Sequence, residues 1–152
     1  MNTVEFRGLV AREFPQLQDE LEYWEDDLPH LQVGEFLNFT QEAIEARSCD
    51  VVRKSFEIAT TAFKRGDDAL LNAIYVAFLE QLDFRSDAGK EALHLMPAEL
   101  KKGRCDILDY DEKLLGRKLA VDDCAWGDKT SSRLADWRNI AVRLRITPSG
   151  TP

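Results

Sequence analysis

Between Arg12 and Arg47 the chain has no lysine or arginine. Other scarcities narrow its class. The longest apolar runs, such as Ala73–Leu79, fall far short of the roughly 20 residues that cross a bilayer. Glu5 and Arg7 interrupt the first hydrophobic stretch, so the apolar segment of a secretory leader is not expected there. The 3 cysteines, Cys49, Cys105 and Cys124, are odd in number and widely spaced, which predicts reduced thiols in a cytoplasm rather than a disulfide framework. With a net charge of −8 and a pI near 4.8, nucleic acid and anionic membrane are expected to be repelled.

Catalytic signatures are also missing. The 2 histidines, His30 and His94, lie near no cysteine or paired acid at metal-ligand spacing, and Cys-x-x-Cys, His-Glu-x-x-His and Gly-x-Ser-x-Gly do not occur. Gly89-Lys90 lacks the flanking residues of a phosphate-binding loop. Asp109-Tyr-Asp-Glu112 has no following glycine and falls in a helical pattern, so it fails as a calcium loop. Carboxylates four apart, as at Glu22 and Asp26, are common on solvated helices, and no nucleophile, base and orienting group assemble around them. The expectation is a protein with no enzymatic activity, no cofactor and no metal. His94 is expected to pack at a helix end.

What is abundant is negative charge in one place. The stretch that lacks bases carries Glu13, Asp19, Glu20, Glu22, Glu25, Asp26, Asp27, Glu35, Glu42 and Glu45. Six of these fall within Asp19–Asp27 around the aromatic pair Tyr23-Trp24. Beyond residue 50, acids and bases nearly balance. A uniformly acidic protein is explained by solubility, whereas a field gathered at one end suits a positive partner.

Apolar spacing predicts an all-α fold. Leu17, Leu21, Trp24 and Leu28 form one stripe of a helix that begins near Pro15 and is broken by Pro29, with the acids on its other face. A second helix is predicted over about 33–46, with Phe36, Leu37, Phe39, Ala43 and Ile44 inward. A third starts with Asp50 as its cap and ends at Gly66 in a left-handed C-cap. Asp67-Asp68 cap the next, which uses Leu70, Leu71, Ile74, Ala77, Phe78 and Leu82. After Arg85-Ser-Asp87 comes a short helix to about Leu95, and Pro97 starts another, with Leu100, Ile107, Leu108, Leu114 and Leu115 buried and its Lys and Arg side chains mostly exposed. Residues 1–120 are expected to form one helical domain, either an irregular HEAT-like stack of antiparallel helix pairs or a compact helical bundle. Residues 121–152 read as a loop followed by a helix (or strand) containing Leu134, Trp137 and Ile140, then a frayed end.

The run Phe14-Pro-Gln-Leu17, Leu28-Pro-His-Leu31 with Gly34, Gly66-Asp67, Asn72–Glu80 and Met96-Pro-Ala-Glu-Leu100 resembles a family of small all-helical bacterial proteins of unassigned role. Some of these look like immunity proteins encoded beside polymorphic toxins. The resemblance covers about residues 4–116, rests on core and turn residues, and implies a fold more than a function. It brings no catalytic residues.

Charge and resemblance together point to an immunity or antitoxin-type protein that neutralises a basic toxin domain by protein–protein contact. Its expected contact residues are Asp19, Glu20, Glu22, Tyr23, Asp26 and Asp27, flanked by His30, Glu35 and Glu42. In this reading the carboxylates meet lysine or arginine, Tyr23 supplies buried area, and a raised His30 pKa adds to the contact. The competing reading is a helical adaptor that binds its partner through an apolar groove.

Overall fold

The computed structural model describes residues 1–115 of the 152-residue chain, with side-chain burial for residues 1–109. All regular structure among the described residues is helical: α1 (Thr3–Glu13), a 3₁₀ turn (Pro15–Leu17), α2 (Gln18–Glu22), α3 (Pro29–Glu45), α4 (Cys49–Arg65), α5 (Asp68–Ala73), a π-helical segment (Ile74–Leu79), α6 (Asp87–Leu95) and α7 (Ala98–Leu115). The expectations for Leu134, Trp137, Ile140 and the rest of 121–152 lie outside the described residues.

Local chemistry sets many of the boundaries. At the start of α1, Asn2 and Glu5 form a reciprocal capping box, each side chain bonding the other's backbone N–H at 2.9 Å. Asp67 Oδ1 caps α5 by accepting from Leu70 N at 2.9 Å, as expected, and Ser86 Oγ caps α6 through Gly89 N at 3.0 Å. α3 ends in a Schellman motif, with Ser48 N donating to Ala43 O and Arg47 N to Ile44 O, both at 2.9 Å. Arg47 takes the left-handed backbone, φ 54°, that this motif requires.

Several boundaries depart from expectation. α1 was not marked by the stripe pattern, although its capping box is visible as Asn2-x-x-Glu5. α4 begins at Cys49 with Ser48 before it, so Asp50 sits in the first turn rather than at the cap. Gly66 is extended, φ −60° and ψ 144°, not left-handed. It is needed for close approach instead, since a Cβ there would lie 2.5 Å from Ala62 O. Pro29 starts α3 rather than merely breaking the preceding helix, because its missing N–H costs nothing at a first helical position.

The packing is that of a compact bundle, not a stack in which each pair touches only its neighbours. α3 packs against α1, α2, α4, α5 with the π-helical segment, and α6, while α1 and α7 both rest on α4. At its centre Phe36 meets Phe6 edge-on, ring centroids 5.6 Å apart, and stacks on Phe78 at 5.3 Å. All three rings are fully buried. Val10, Leu21, Val33, Ile44, Phe56, Leu70, Ile74, Leu79 and Leu100 extend this core. Leu37 and Phe39, expected inward, are half-buried at its margin.

The π-helical segment carries an i+5 bond, Glu80 N to Tyr75 O at 3.0 Å, in place of α-helical pairing. Arg104 of α7 is not simply an exposed charge, as expected. Its guanidinium donates to Leu79 O at the end of that segment and lies 4.9 Å from the Phe84 ring centroid. Burial, with help from the Asp106 charge, pushes the Tyr75 hydroxyl up to about 12. His94 is exposed in the last turn of α6 rather than packed. Cys49 is a free, exposed thiol, as expected; Cys124 lies outside the described residues.

Two glycines separate close packing from mere helix propensity. A Cβ on Gly89 would lie 2.6 Å from Phe84 Cα, where the obstacle is backbone, whereas a Cβ on Gly34 meets nothing within 4 Å. Gly89→Ala is expected to cost about 1–3 kcal/mol through overpacking. Gly34→Ala should be neutral or gain about 0.5–1 kcal/mol by improving helix propensity. Urea denaturation midpoints of the two variants check both signs.

Candidate functional site

The acidic stretch does not fold as the single helix its spacing suggested. α2 stops at Glu22, and residues 23–28 form turns before Pro29 opens α3. Asp19, Glu20 and Glu22 therefore sit on α2, while Glu25, Asp26 and Asp27 sit in the turn. Leu17 and Leu21 are buried as expected, Trp24 is half-buried, and Leu28 is 39 % exposed. Two causes act together. Carboxylates placed i,i+4 without interleaved bases weaken a helix by a few tenths of a kcal/mol per pair. The Pro29 ring also disfavours helical backbone at the residue before it.

The chain after α2 is held by three contacts that replace the lost helical bonds. Gln32, fully buried on α3, donates through Nε2 to Glu25 O at 3.1 Å and Trp24 O at 3.5 Å. Trp24 Nε1 donates to Glu35 Oε1 at 3.3 Å. Arg7 of α1 pairs with Asp26 at 2.5 Å. Leu28 N also donates to Glu25 O at 3.1 Å and closes the turn before α3. Neutral hydrogen bonds such as those of Gln32 and Leu28 contribute about 0.5–1.5 kcal/mol each. The solvent-facing ion pair adds less than its length suggests, about 0–1 kcal/mol.

The helical spacing of α3 organises the rest. Leu28, Leu31 and Glu35 lie on one face, and Asn38, Glu42 and Glu45 continue it. The opposite stripe, with Val33, Phe36, Thr40 and Ile44, is buried. Because Trp24 bonds to Glu35, its indole lies on that open face, and Tyr23 packs edge-on against it with centroids 4.9 Å apart. Tyr23 is 78 % exposed and Leu31 41 % exposed. The surface thus combines apolar groups at one end of α3 with carboxylates around and beyond them.

The expected contact residues divide by role. Among the described residues, Asp19, Glu20, Glu22, Asp27 and Glu42 have no ion-pair partner and are exposed. Glu22 accepts only from the Gln18 amide, at 2.8 Å. Asp26 is engaged by Arg7, and Glu35 is occupied in part by the Trp24 indole, so these two act first as positioning groups. His30 belongs to the first turn of α3, and its Nε2 lies 3.0 Å from Asn72 Nδ2. Partial burial lowers its pKa from 6.5, opposite to the rise anticipated from the neighbouring acids. Gln32 and Arg7, which order the turn, were missed by sequence reasoning. The only signal for either was a polar residue on the apolar stripe of α3 and a cation opposite the acid-rich stretch.

Among the described residues, no three His, Cys, Asp or Glu side chains gather closely enough to hold a metal ion. No described helix is long and apolar enough to cross a membrane.

A neutral His30 ring accepts the Asn72 amide at Nε2, so lowering the pH through its titration removes stability that is present above pH 6.5. NMR titration of the ring is expected to give a midpoint below 6.5, and Asn72→Ala should move that midpoint. A midpoint above 6.5 would indicate that the acidic surroundings govern the ring instead.

The chain belongs to a domain family of unknown function, DUF7674, whose match covers residues 8–112. No curated protein and no solved structure matches it.

Proposed function

We propose that this chain is an immunity or antitoxin-type protein whose acidic surface, built from α2, the turn after it and the open face of α3, binds and neutralises a basic toxin domain. The observation that carries this reading is the group of exposed carboxylates without ion-pair partners among the described residues: Asp19, Glu20, Glu22, Asp27 and Glu42. Elsewhere among the described residues some acids find cations, as Glu99 does with Lys64 at 2.7 Å and Glu91 with Arg47 at 3.1 Å, and others such as Glu57 and Asp68 do not. The group on α2, the turn and α3 is set apart by lying in the one stretch, between Arg12 and Arg47, that has no lysine or arginine. Uncompensated like charges disfavour the isolated fold, and a cationic partner reverses that effect on binding.

The mechanism is occlusion. A toxin that acts on phosphodiesters needs a basic groove, and an ordered acidic surface fills such a groove with carboxylate oxygens in place of phosphate oxygens. Charge of opposite sign also steers the encounter, raising the association rate at low salt. Residence of the complex in a bacterial cytoplasm is part of the same proposal.

The adaptor reading asks for an apolar groove apart from the charge. Instead, Tyr23, Leu28 and Leu31 stand within the acidic region, and among the described residues the other large exposed apolar side chains, Val4 and Val76, lie on other elements. The acidic surface therefore takes precedence.

The test uses the product of the neighbouring reading frame as partner. Combined Glu20→Lys and Asp27→Lys, two exposed positions, are expected to weaken binding roughly tenfold or more, a change of about 1.4 kcal/mol or above, and to flatten its salt dependence. Titration calorimetry at low and high salt reads both. Unchanged affinity with unchanged salt dependence would sink the assignment.

A further inference from the structure

The acidic surface is not uniformly polar. Leu28, the N-cap residue of α3, and Leu31 in its first turn are 39 % and 41 % exposed, and Tyr23, 78 % exposed, packs edge-on against the Trp24 ring. The indole is held on this face by Glu35, one turn beyond Leu31. These contacts give a short apolar ridge parallel to α3, with Asp27 at one end and Glu42 and Glu45 at the other. Solvation of carboxylates does not require such a ridge. Burying three large apolar side chains on contact does favour association, by about 25 cal/mol for each Å² removed from water.

We infer that the occupant of this ridge is a cationic amphipathic helix of the partner polypeptide, seating apolar side chains on Tyr23, Leu28 and Leu31 and directing lysine or arginine toward the surrounding carboxylates. The inference rests on the reading of the surface as the binding face. Three properties select the occupant. Leu31, with Leu28 at the cap of the helix, gives the open face of α3 apolar anchors of the kind on which an amphipathic helix seats. The 17 residues of α3 span about 25 Å, enough for several turns of such a helix. Charge excludes two other coverings: a second copy of the chain would bring carboxylates against carboxylates, and an anionic lipid surface would meet the same repulsion.

The partner segment differs from a purely electrostatic ligand in what it needs. Oligo-lysine satisfies the carboxylates but leaves Leu28, Leu31 and Tyr23 wet. A helix with leucine on one face and lysine on the other satisfies both. Aromatic and apolar anchors inside a charged rim are where binding energy concentrates, while rim charges govern rate and salt response.

The experiment compares two probes on the intact protein: a leucine–lysine peptide patterned as an amphipathic helix of about four turns, and an oligo-lysine of equal charge. Binding is read by titration calorimetry for the wild type, for Tyr23→Ala, and for Leu28→Ser combined with Leu31→Ser, with circular dichroism confirming that each variant folds. The amphipathic peptide is expected to bind the wild type roughly tenfold tighter than oligo-lysine. Both variants should lose that advantage and keep their affinity for oligo-lysine. Equal binding of the two probes would overturn the ridge as a docking element while leaving the acidic-surface reading intact. Failure of both probes to bind would overturn both. Sedimentation showing a dimer that Leu28→Ser with Leu31→Ser dissociates would replace the proposed occupant with a second copy of the chain.

Discussion

Phe36 is the contact on which the arrangement turns. Its ring lies between Phe6 of α1 and Phe78 of the π-helical segment, and this fixes α3 at the centre of the bundle. With that face buried, the residue one turn earlier, Gln32, is buried as well; its Oε1 has no hydrogen-bond partner among the described residues, and its amide NH2 must find acceptors inside the protein. It finds the carbonyls of Trp24 and Glu25. The aromatic core thereby determines where the acid-rich turn attaches, and the opposite face of α3 determines what that turn presents to solvent.

The same logic accounts for the mixture of ordered and uncompensated groups at the surface. Arg7 neutralises Asp26 and draws the turn toward α1, while Glu35 uses part of its hydrogen-bonding capacity on the Trp24 indole. The remaining carboxylates have no such duty. Ordering a loop of like charges costs conformational entropy and adds repulsion, so a few inward bonds must outweigh both. A surface held this way is pre-organised, and binding to it loses less entropy than binding to a free acidic segment.

How much of this was legible in the sequence depends on the scale of the question. The helical class and the inward positions of Phe36, Ala43, Ile44, Phe56, Phe78 and Leu100 follow from spacing alone, because a 3.6-residue period reports burial directly. The concentration of acids was visible as well. The end of α2 at Glu22 was not, because the same Leu17, Leu21, Trp24, Leu28 stripe suits one long helix. Repulsion among the acids and the bonds to Gln32 and Glu35 decided otherwise. Position in the fold also reversed the sense of the His30 shift: neighbouring carboxylates in sequence argue for a raised pKa, but burial against α5 lowers it. The choice between stack and bundle required knowing that α3 touches helices far from it along the chain, which no local pattern encodes.

Gln32 holds the segment after α2 as an ordered acidic surface. Amide hydrogen exchange across residues 18–28, compared between the wild type and Gln32→Leu, tests it most directly. Tyr23 and Leu28 are expected to show measurable protection in the wild type, where their N–H groups bond to Asp19 O and Glu25 O at 3.1 Å, and Leu28 to lose most of it in Gln32→Leu while α4 stays protected. Exchange of Leu28 at the unstructured-chain rate in the wild type, or full protection in the variant, would contradict it.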